Sequence, residues 1–509
     1  MSKPNISSDN YALTFSSLSV CELLPPRPVV RLTSGFIQKG GVTAVFGASA
    51  SGKSMLLQAL AGRVKSLSAK GDVLLNGIKI NPLDHRNSIS YVSQFDRNIG
   101  ILTAREMIRY SCTLKKSLPA DVIEEKVNKV LKDFGIDHVA DTIIGTPFIS
   151  GLSGGQKRRV DVGVEFVASP SVLLLDEPTS GLDGSISYEV LSAIRTKVKE
   201  SNKTLSVMLS IHQPNSRILG LFDHILVLGN DGGMVYFGTV PDGAAHFTNI
   251  GYPPPVGYTV TDFMLQVTDT NFQEDNKFDF EGSFLCSRQY HELQQLLDHV
   301  KAHGLSEQLK LAWGGANESS AADRDALHRS RSQQVMDTQL SKNGVNNTSF
   351  FRQYWTLVKR DLLVAKRDLT FVYLQVALVL AFGFLVGAGF FQLNYRIDGT
   401  MTFIPGGILW VMMMMVYTNV FKVYHMNLGN IRLEHELANG SYTVPAHFCA
   451  QLTTTSLLLL SYIPGVILAF FMMGFPAKVL PGTILAAWTV AMCGDAMLGF
   501  FTKFSKVFQ

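Results

Sequence analysis

Hydrophobic positions change their spacing along this chain, and the changes divide it. Residues 41–46, GVTAVF, form a short apolar run that ends in a glycine-rich turn. The following MLLQALAGRV has helical spacing, so a strand, a loop and a helix are predicted in that order. Residues 72–80 and 89–93 read as further short strands. Residues 103–135 carry helical periodicity through Met107, Ile108, Val122, Ile123, Val127, Val130 and Leu131. VLLLD at 172–176 is continuously apolar and ends in an acid, the pattern of a strand buried on both faces. Residues 204–211 and 225–228 suggest two more strands. Alternating strands and helices predict an α/β domain with a mainly parallel sheet over residues 1–270.

Beyond residue 270 the pattern dissolves. Residues 271–348 are expected to be a polar, largely disordered linker, because GGANESSAADRDALHRSRSQQVMDTQLSKNGVNNTS is polar and nearly free of aromatics. Residues 349–368 then read as an amphipathic basic helix suited to a membrane surface. Four apolar stretches follow, at 369–391, 401–421, 450–475 and 479–502. The first has 23 residues and no charge, so as a helix it would reach roughly 35 Å, enough for a hydrocarbon core of about 30 Å. The fourth contains Asp495. One such stretch could be a buried soluble helix; four in series point to an all-α transmembrane domain over 369–509. Lys359, Arg360, Lys366, Arg367, Lys422, Arg432, Lys503 and Lys506 fall on one side of these spans, against Arg396 and Lys478 on the other. Both termini are therefore expected in the cytosol.

Composition narrows the classes. Charged residues are 17 % of the chain and the net charge is +4, with no basic stripe, so a nucleic-acid partner is not expected. The five cysteines, Cys21, Cys112, Cys286, Cys449 and Cys493, include no C-x-x-C pair, which argues against a structural zinc site or a disulfide framework.

The chemistry begins at the first turn. Gly47-Ala48-Ser49-Ala50-Ser51-Gly52-Lys53-Ser54 matches the phosphate-loop pattern in its strand–loop–helix setting. Its backbone N–H groups can converge on a β-phosphate, aided by the helix dipole; Lys53 can reach the β- and γ-phosphates, and the Ser54 hydroxyl can ligate Mg²⁺. At the end of the buried strand, Asp176 can hold Mg²⁺ and Glu177 can polarise an attacking water as general base. A nucleoside triphosphate with Mg²⁺ is the expected ligand. A third element, Ser153-Gly154-Gly155-Gln156 opening a helical run, has the makings of a second anion nest.

Leu152–Gln156 resembles the signature loop of ABC ATPases. The resemblance continues through Gln94 as the Q-loop glutamine, Ser180-Gly181-Leu182-Asp183 as the D-loop and His212 as the switch histidine. It implies an α/β P-loop (RecA-like) nucleotide-binding domain with a helical subdomain, and it makes the expected nucleoside triphosphate ATP. Glu177, His212 and Gln94 would then be catalytic. Ser54, Gln94 and Asp176 would hold the metal, and the signature loop would close on ATP held by a partner subunit. DEPTSGLD, SIHQP, LFDHILVLGNDGGMVYFG and RLEHELANGSYTVPAHF, with the ATP domain preceding the membrane domain, resemble the G subfamily of ABC transporters, the white and pleiotropic-drug-resistance type. The last of these segments resembles that family's first intracellular loop, which couples the ATP domain to the spans.

The chain also departs from the family. Ala50 stands where a glycine is usual, tolerable if its φ stays negative. No convincing adenine-stacking aromatic precedes the phosphate loop, with Tyr11 and Phe15 as candidates. The family has six spans and this chain offers four, which suggests a truncated half-transporter. The resemblance implies ATP-driven export of lipids, sterols or hydrophobic small molecules by a homo- or heterodimer in a plasma or internal membrane. Two alternatives are a non-transporting or regulatory subunit and the N-terminal half of a double-length transporter.

Overall fold

Val42–Gly47 is buried at every position, as its unbroken apolar character requires of a strand covered on both faces. The computed structural model describes residues 10–23, 26–63, 67–95, 97–146, 149–212, 216–255, 260–267, 278–313, 348–391, 409, 432–475 and 477–505. Two units divide it. The first is Met1–Asn347 with Ala438–Gly440; the second is Thr348–Leu437 with Ser441–Gln509.

The strands of the first unit are β1 (Tyr11–Leu23), β2 (Pro26–Gln38), β3 (Val42–Gly47), β4 (Leu67–Leu75), β5 (Ile78–Lys79), β6 (Ile89–Val92), β7 (Val172–Leu175), β8 (Ser206–Ser210), β9 (His224–Leu228) and β10 (Met234–Gly238). Six of them form one sheet in the order β10-β9-β3-β8-β7-β6. Its pairings are parallel except at the β9–β10 edge. The predicted mainly parallel sheet is present, and its strands match the apolar runs within a few residues. The phosphate-loop strand β3 lies between β8 and β9, and β7, which leads into Asp176, lies between β6 and β8. The two motifs therefore leave the same, C-terminal, edge of the sheet.

A second sheet, antiparallel and ordered β2-β1-β4-β5, was not expected. Its long strands β1 and β2 hide in the mixed polar sequence before residue 40. Their register shifts at several points between Tyr11 and Cys21, and each shift breaks the two-residue alternation by which a strand is read.

The helices of the first unit are α1 (Lys53–Leu60), α2 (Ala104–Lys115), α3 (Ala120–Asp133), α4 (Gly154–Phe166), α5 (Gly184–Glu200), α6 (Ser216–Leu219), α7 (Val240–Asn249), α8 (Val260–Val267), α9 (Phe280–Leu285) and α10 (Arg288–Trp313). The helical pattern at 103–135 resolves into α2 and α3. Thr103 starts α2 with a reciprocal capping box to Glu106. The last two helices correct the expected linker. Phe280 and Phe284 of α9 are buried beside Phe247 and Tyr236, and α10 buries Leu293, Leu297 and Val300. That four-then-three spacing is an amphipathic helical stripe inside a segment otherwise read by its polarity. Residues 314–347 lie outside the described residues.

The second unit contains α11 (Phe350–Arg367), α12 (Leu369–Gly389), α13 (Val444–Leu458), α14 (Ile463–Met472) and α15 (Leu480–Ser505). The expected amphipathic helix is α11, capped at Ser349, and α12 and α15 occupy the first and fourth apolar stretches. The third stretch begins earlier than expected, at Val444, with Pro445 in its first turn. A 3₁₀ turn at Leu459–Tyr462 interrupts it before α14. By length and apolarity, Val444–Met472 and Ala477–Gly494 are long enough to cross a membrane. Apart from Leu409, the stretch 401–421 lies outside the described residues, as does the side chain of Asp495 on α15. Gly383 of α12 and Gly465 of α14 let the two backbones touch: a Cβ at Gly383 would stand 2.5 Å from the Gly465 carbonyl oxygen.

Polar contacts fasten α11 to the segment leading into α13. Gln353 Nε2 donates to Thr348, and Gln353 Oε1 accepts from Thr443. Arg360 Nη1 lies 2.9 and 3.1 Å from the two Glu436 oxygens, and Tyr442 donates to Glu436 at 2.5 Å. Burial, the largest single influence, pushes Glu436 toward its neutral form, but Arg360, Arg432 and the Tyr442 hydroxyl together outweigh it and hold the carboxyl below its usual range. Replacing one partner leaves a buried charge uncompensated. Arg360→Ala should therefore cost about 3–5 kcal/mol, read as a lower melting temperature of the detergent-solubilised chain, and Arg360→Met/Glu436→Leu should recover much of it. Equal destabilisation by both variants would contradict this account.

Candidate functional site

The chain leaves β3 into the phosphate loop through two positions that admit only glycine. A Cβ at Gly47 (φ +155°) would lie 2.5 Å from Ser51 Oγ, and one at Gly52 (φ +88°) would lie 2.7 Å from the Val29 carbonyl oxygen. Lys53 follows at the first turn of α1, almost fully buried. Its Nζ donates to the carbonyl oxygens of Gly47 at 2.9 Å and Ala48 at 2.7 Å, so the ammonium is already folded over the loop. Burial lowers the Lys53 pKa, and Glu177 and Asp176 oppose that shift. Ser51 Oγ is buried with no hydrogen-bond partner, a polar atom facing a loop built to hold anions.

The acids at the end of β7 converge on this loop. Asp176 Oδ1 accepts from Ser54 Oγ at 2.9 Å and from Ser210 Oγ at 2.7 Å, and Oδ2 accepts from Tyr91 at 3.0 Å. Glu177 adopts φ +43°, a left-handed conformation, and its N–H donates to Ser210 Oγ at 2.8 Å. Gln94 Nε2 reaches Glu177 Oε2 at 2.7 Å, and His212 Nε2 lies 2.7 Å from Ser49 Oγ. Ser54, Asp176, Ser210, Glu177 and Gln94 thus form one hydrogen-bonded chain, Lys53 folds over the same phosphate loop and His212 bonds to Ser49 of that loop, although these residues are spread over 164 positions of sequence.

Ser54, Asp176 and Gln94 offer hard oxygen donors, the set suited to Mg²⁺ when phosphates complete the coordination. No cluster of three or more His, Cys, Asp or Glu able to hold a metal by itself occurs among the described residues. The donors fit a metal that would arrive with a nucleotide, whose phosphates would complete the coordination.

Ser153–Gln156 stand apart from these residues. Ser153 caps α4 reciprocally with Gln156, and a Cβ at Gly155 would come within 2.5 Å of Ile186, just after the D-loop. Asp183 caps α5 by accepting from the N–H groups of Ser185 and Ile186. The signature loop and the D-loop are thus packed as one surface with the free N–H groups of α4 at its edge. Sequence reasoning overlooked two residues. Arg158 is buried and donates to the carbonyl oxygens of Ser93, Gln94, Asp176 and Pro178. Tyr91 holds the second oxygen of Asp176. Arg158 hid in a basic triplet and Tyr91 in an apolar strand, where neither residue type signals a role.

Two family models match the chain: an ABC transporter model over residues 31–180 and an ABC-2 type transporter model over 352–509. The chain thus carries an ABC transporter domain followed by an ABC-2 type transporter domain, and G-family ABC transporters are among the proteins it is similar to. It is 33 % identical over 390 residues to ABC transporter G family member 22 of Dictyostelium discoideum, covering 75 % of this chain and 58 % of that protein. It is 30 % identical to ABC transporter G family member 13 of Arabidopsis thaliana, covering 81 % and 61 %. Identity to the broad substrate specificity ATP-binding cassette transporter ABCG2 of Rattus norvegicus is 29 %, covering 87 % and 66 %. The chain thus spans about three-fifths to two-thirds of the length of these relatives.

Against this family frame, two expectations change. Of the two adenine candidates, Phe15 is fully buried, whereas Tyr11 is half-buried and packs edge-on against Phe36 at 4.9 Å. Ala50 has φ +67°, so the condition under which alanine costs nothing is not met. A side chain in the left-handed region costs about 1–2 kcal/mol, and glycine would relieve it at some cost in unfolded-chain entropy. Ala50→Gly should raise the stability of the first unit by about 1 kcal/mol, or roughly 2 °C in the corresponding melting transition. A lower melting temperature would show that the loop carries no such strain.

Proposed function

We propose that this chain is a subunit of an ATP-driven membrane transporter for hydrophobic or lipid-like small molecules, with its ATP domain in the cytosol. The carrying observation is the hydrogen-bonded series Ser54, Asp176, Ser210, Glu177 and Gln94, with Lys53 and His212 on the same phosphate loop, in a chain that also holds an ABC-2 type transporter domain. In this reading the phosphate loop binds the ATP phosphates through its N–H groups and Lys53. Ser54, Asp176 and Gln94 hold Mg²⁺, which draws charge from the phosphate oxygens. Glu177 accepts a proton from the attacking water, and His212 orients the terminal phosphate region.

The signature residues Ser153–Gln156 serve the opposite subunit. Their capped helix end faces outward, and a homo- or heterodimer of such domains would enclose two ATP molecules. Closure then favours ATP over ADP, and that difference in affinity can bias a membrane domain between two states. Hydrophobic cargo and export are inferred from the transporters this chain is similar to, one of which is described as having broad substrate specificity.

Variants of the solubilised chain test the assignment. Glu177→Gln should reduce ATP hydrolysis by at least about a hundredfold while ATP still binds, and unchanged turnover would remove Glu177 from the role of base. Lys53→Ala should weaken ATP binding itself, measured with a fluorescent nucleotide; unaltered affinity would refute its contact with phosphate. Vanadate-sensitive uptake of a lipophilic dye into inside-out vesicles tests transport. ATP hydrolysis without ATP-dependent uptake of any lipophilic probe would count against the transporter reading.

A further inference from the structure

We infer that Tyr91 is a positioning residue for the magnesium side of the nucleotide site: its hydroxyl fixes the orientation of the Asp176 carboxylate. This rests on reading Asp176 as the carboxylate that serves Mg²⁺. Tyr91 lies on β6, next to β7 in the sheet, with Leu174 of β7 opposite it and Asp176 two residues further on. The tyrosine and Asp176 are each 3 % exposed. Three hydroxyls hold the carboxylate: Ser54 and Ser210 at one oxygen, and Tyr91 at the other. Ser54 is itself assigned to the metal. Tyr91 and Ser210 are then the donors left to define the plane of the carboxylate, and Tyr91 is the donor at Oδ2.

The tyrosine is held firmly enough to do this. The Arg63 guanidinium sits over its ring, 4.3 Å from the centroid, and Arg63 Nη2 donates to the Tyr91 carbonyl oxygen at 3.3 Å. Gln58 Nε2 donates to the tyrosine hydroxyl at 3.4 Å, leaving that hydroxyl's proton for Asp176. Arg63 and Gln58 both come from the helix that starts at Lys53 and from the turn after it. The same helix that presents Lys53 and Ser54 to phosphate therefore clamps the residue that aims Asp176. Tyr91 also lies three positions before Gln94, so β6 and the segment directly after it carry two residues that touch the acids following β7. Groups that orient a metal-side carboxylate typically change metal affinity about 10–100-fold when removed.

Tyr91→Phe deletes one oxygen and keeps the ring beneath Arg63. The test uses the solubilised full chain and a fluorescent ATP analogue, titrated with MgCl₂ and compared with the same binding in EDTA. For Tyr91→Phe, the half-saturating Mg²⁺ concentration should rise about tenfold, while affinity in EDTA changes less than about twofold. Equal binding losses with and without magnesium, or an unchanged magnesium midpoint, overturn the inference. Asp176→Asn is the reference. If Asp176→Asn does not move the magnesium midpoint, the assignment of Asp176 fails. If Asp176→Asn moves it and Tyr91→Phe does not, Tyr91 alone loses its role.

Discussion

Arg158 donates to the backbone carbonyl oxygens of Ser93, Gln94, Asp176 and Pro178 from the first turns of α4. These carbonyls end two parallel strands, β6 and β7, and begin the segments that carry Gln94 and Glu177. A chain leaving a sheet would otherwise present unpaired carbonyl groups in a buried place, at a cost of several kcal/mol together. One planar guanidinium with five donors satisfies them at once, which a lysine could not do. The Q-loop, the acids of β7 and the signature helix consequently hold fixed positions relative to one another.

Around that joint, the polar groups of the site answer one another. Lys53 bonds to the carbonyls of its own loop, Gln94 to Glu177, His212 to Ser49, and Asp176 to three hydroxyls. Each group expected to meet phosphate, metal or water has a protein partner of modest strength. A ligand can replace such partners without leaving a bare buried charge behind. Ala50 in the phosphate loop and Glu177 at the proposed base are two of the non-glycine residues of the first unit that adopt left-handed conformations.

The second unit uses a different currency. Its helices meet through glycines and apolar side chains, with Val379, Val466, Phe470 and Tyr462 in the shared core. Charge is concentrated where α11 meets the segment before α13, and there Arg360, Glu436 and Tyr442 pair completely. That division follows from the solvent each part is built for: apolar helices can pack in lipid by shape, whereas a buried ionic group needs its partners in place.

The sequence by itself determined the nucleotide-binding motifs, the strands that precede the phosphate loop, Gln94, Asp176 and His212, and the helical apolar stretches among the described residues. These are local signals: an apolar run, a glycine turn, a capping residue, a helical period. It did not reveal β1 and β2, because their bulges break the alternation that a strand is read by. The helices at Phe280–Leu285 and Arg288–Trp313 were also hidden, since a sparse apolar stripe was outweighed by polar neighbours. Residues such as Arg158 and Tyr91 could not have been found along the chain. Their roles depend on which carbonyl or carboxylate lies opposite them, and strand order in the sheet sets that, from segments as much as 85 positions apart. Only the tertiary structure decided the conformation of Ala50, because the φ of a loop residue follows from how both ends of the loop are anchored and not from its own side chain.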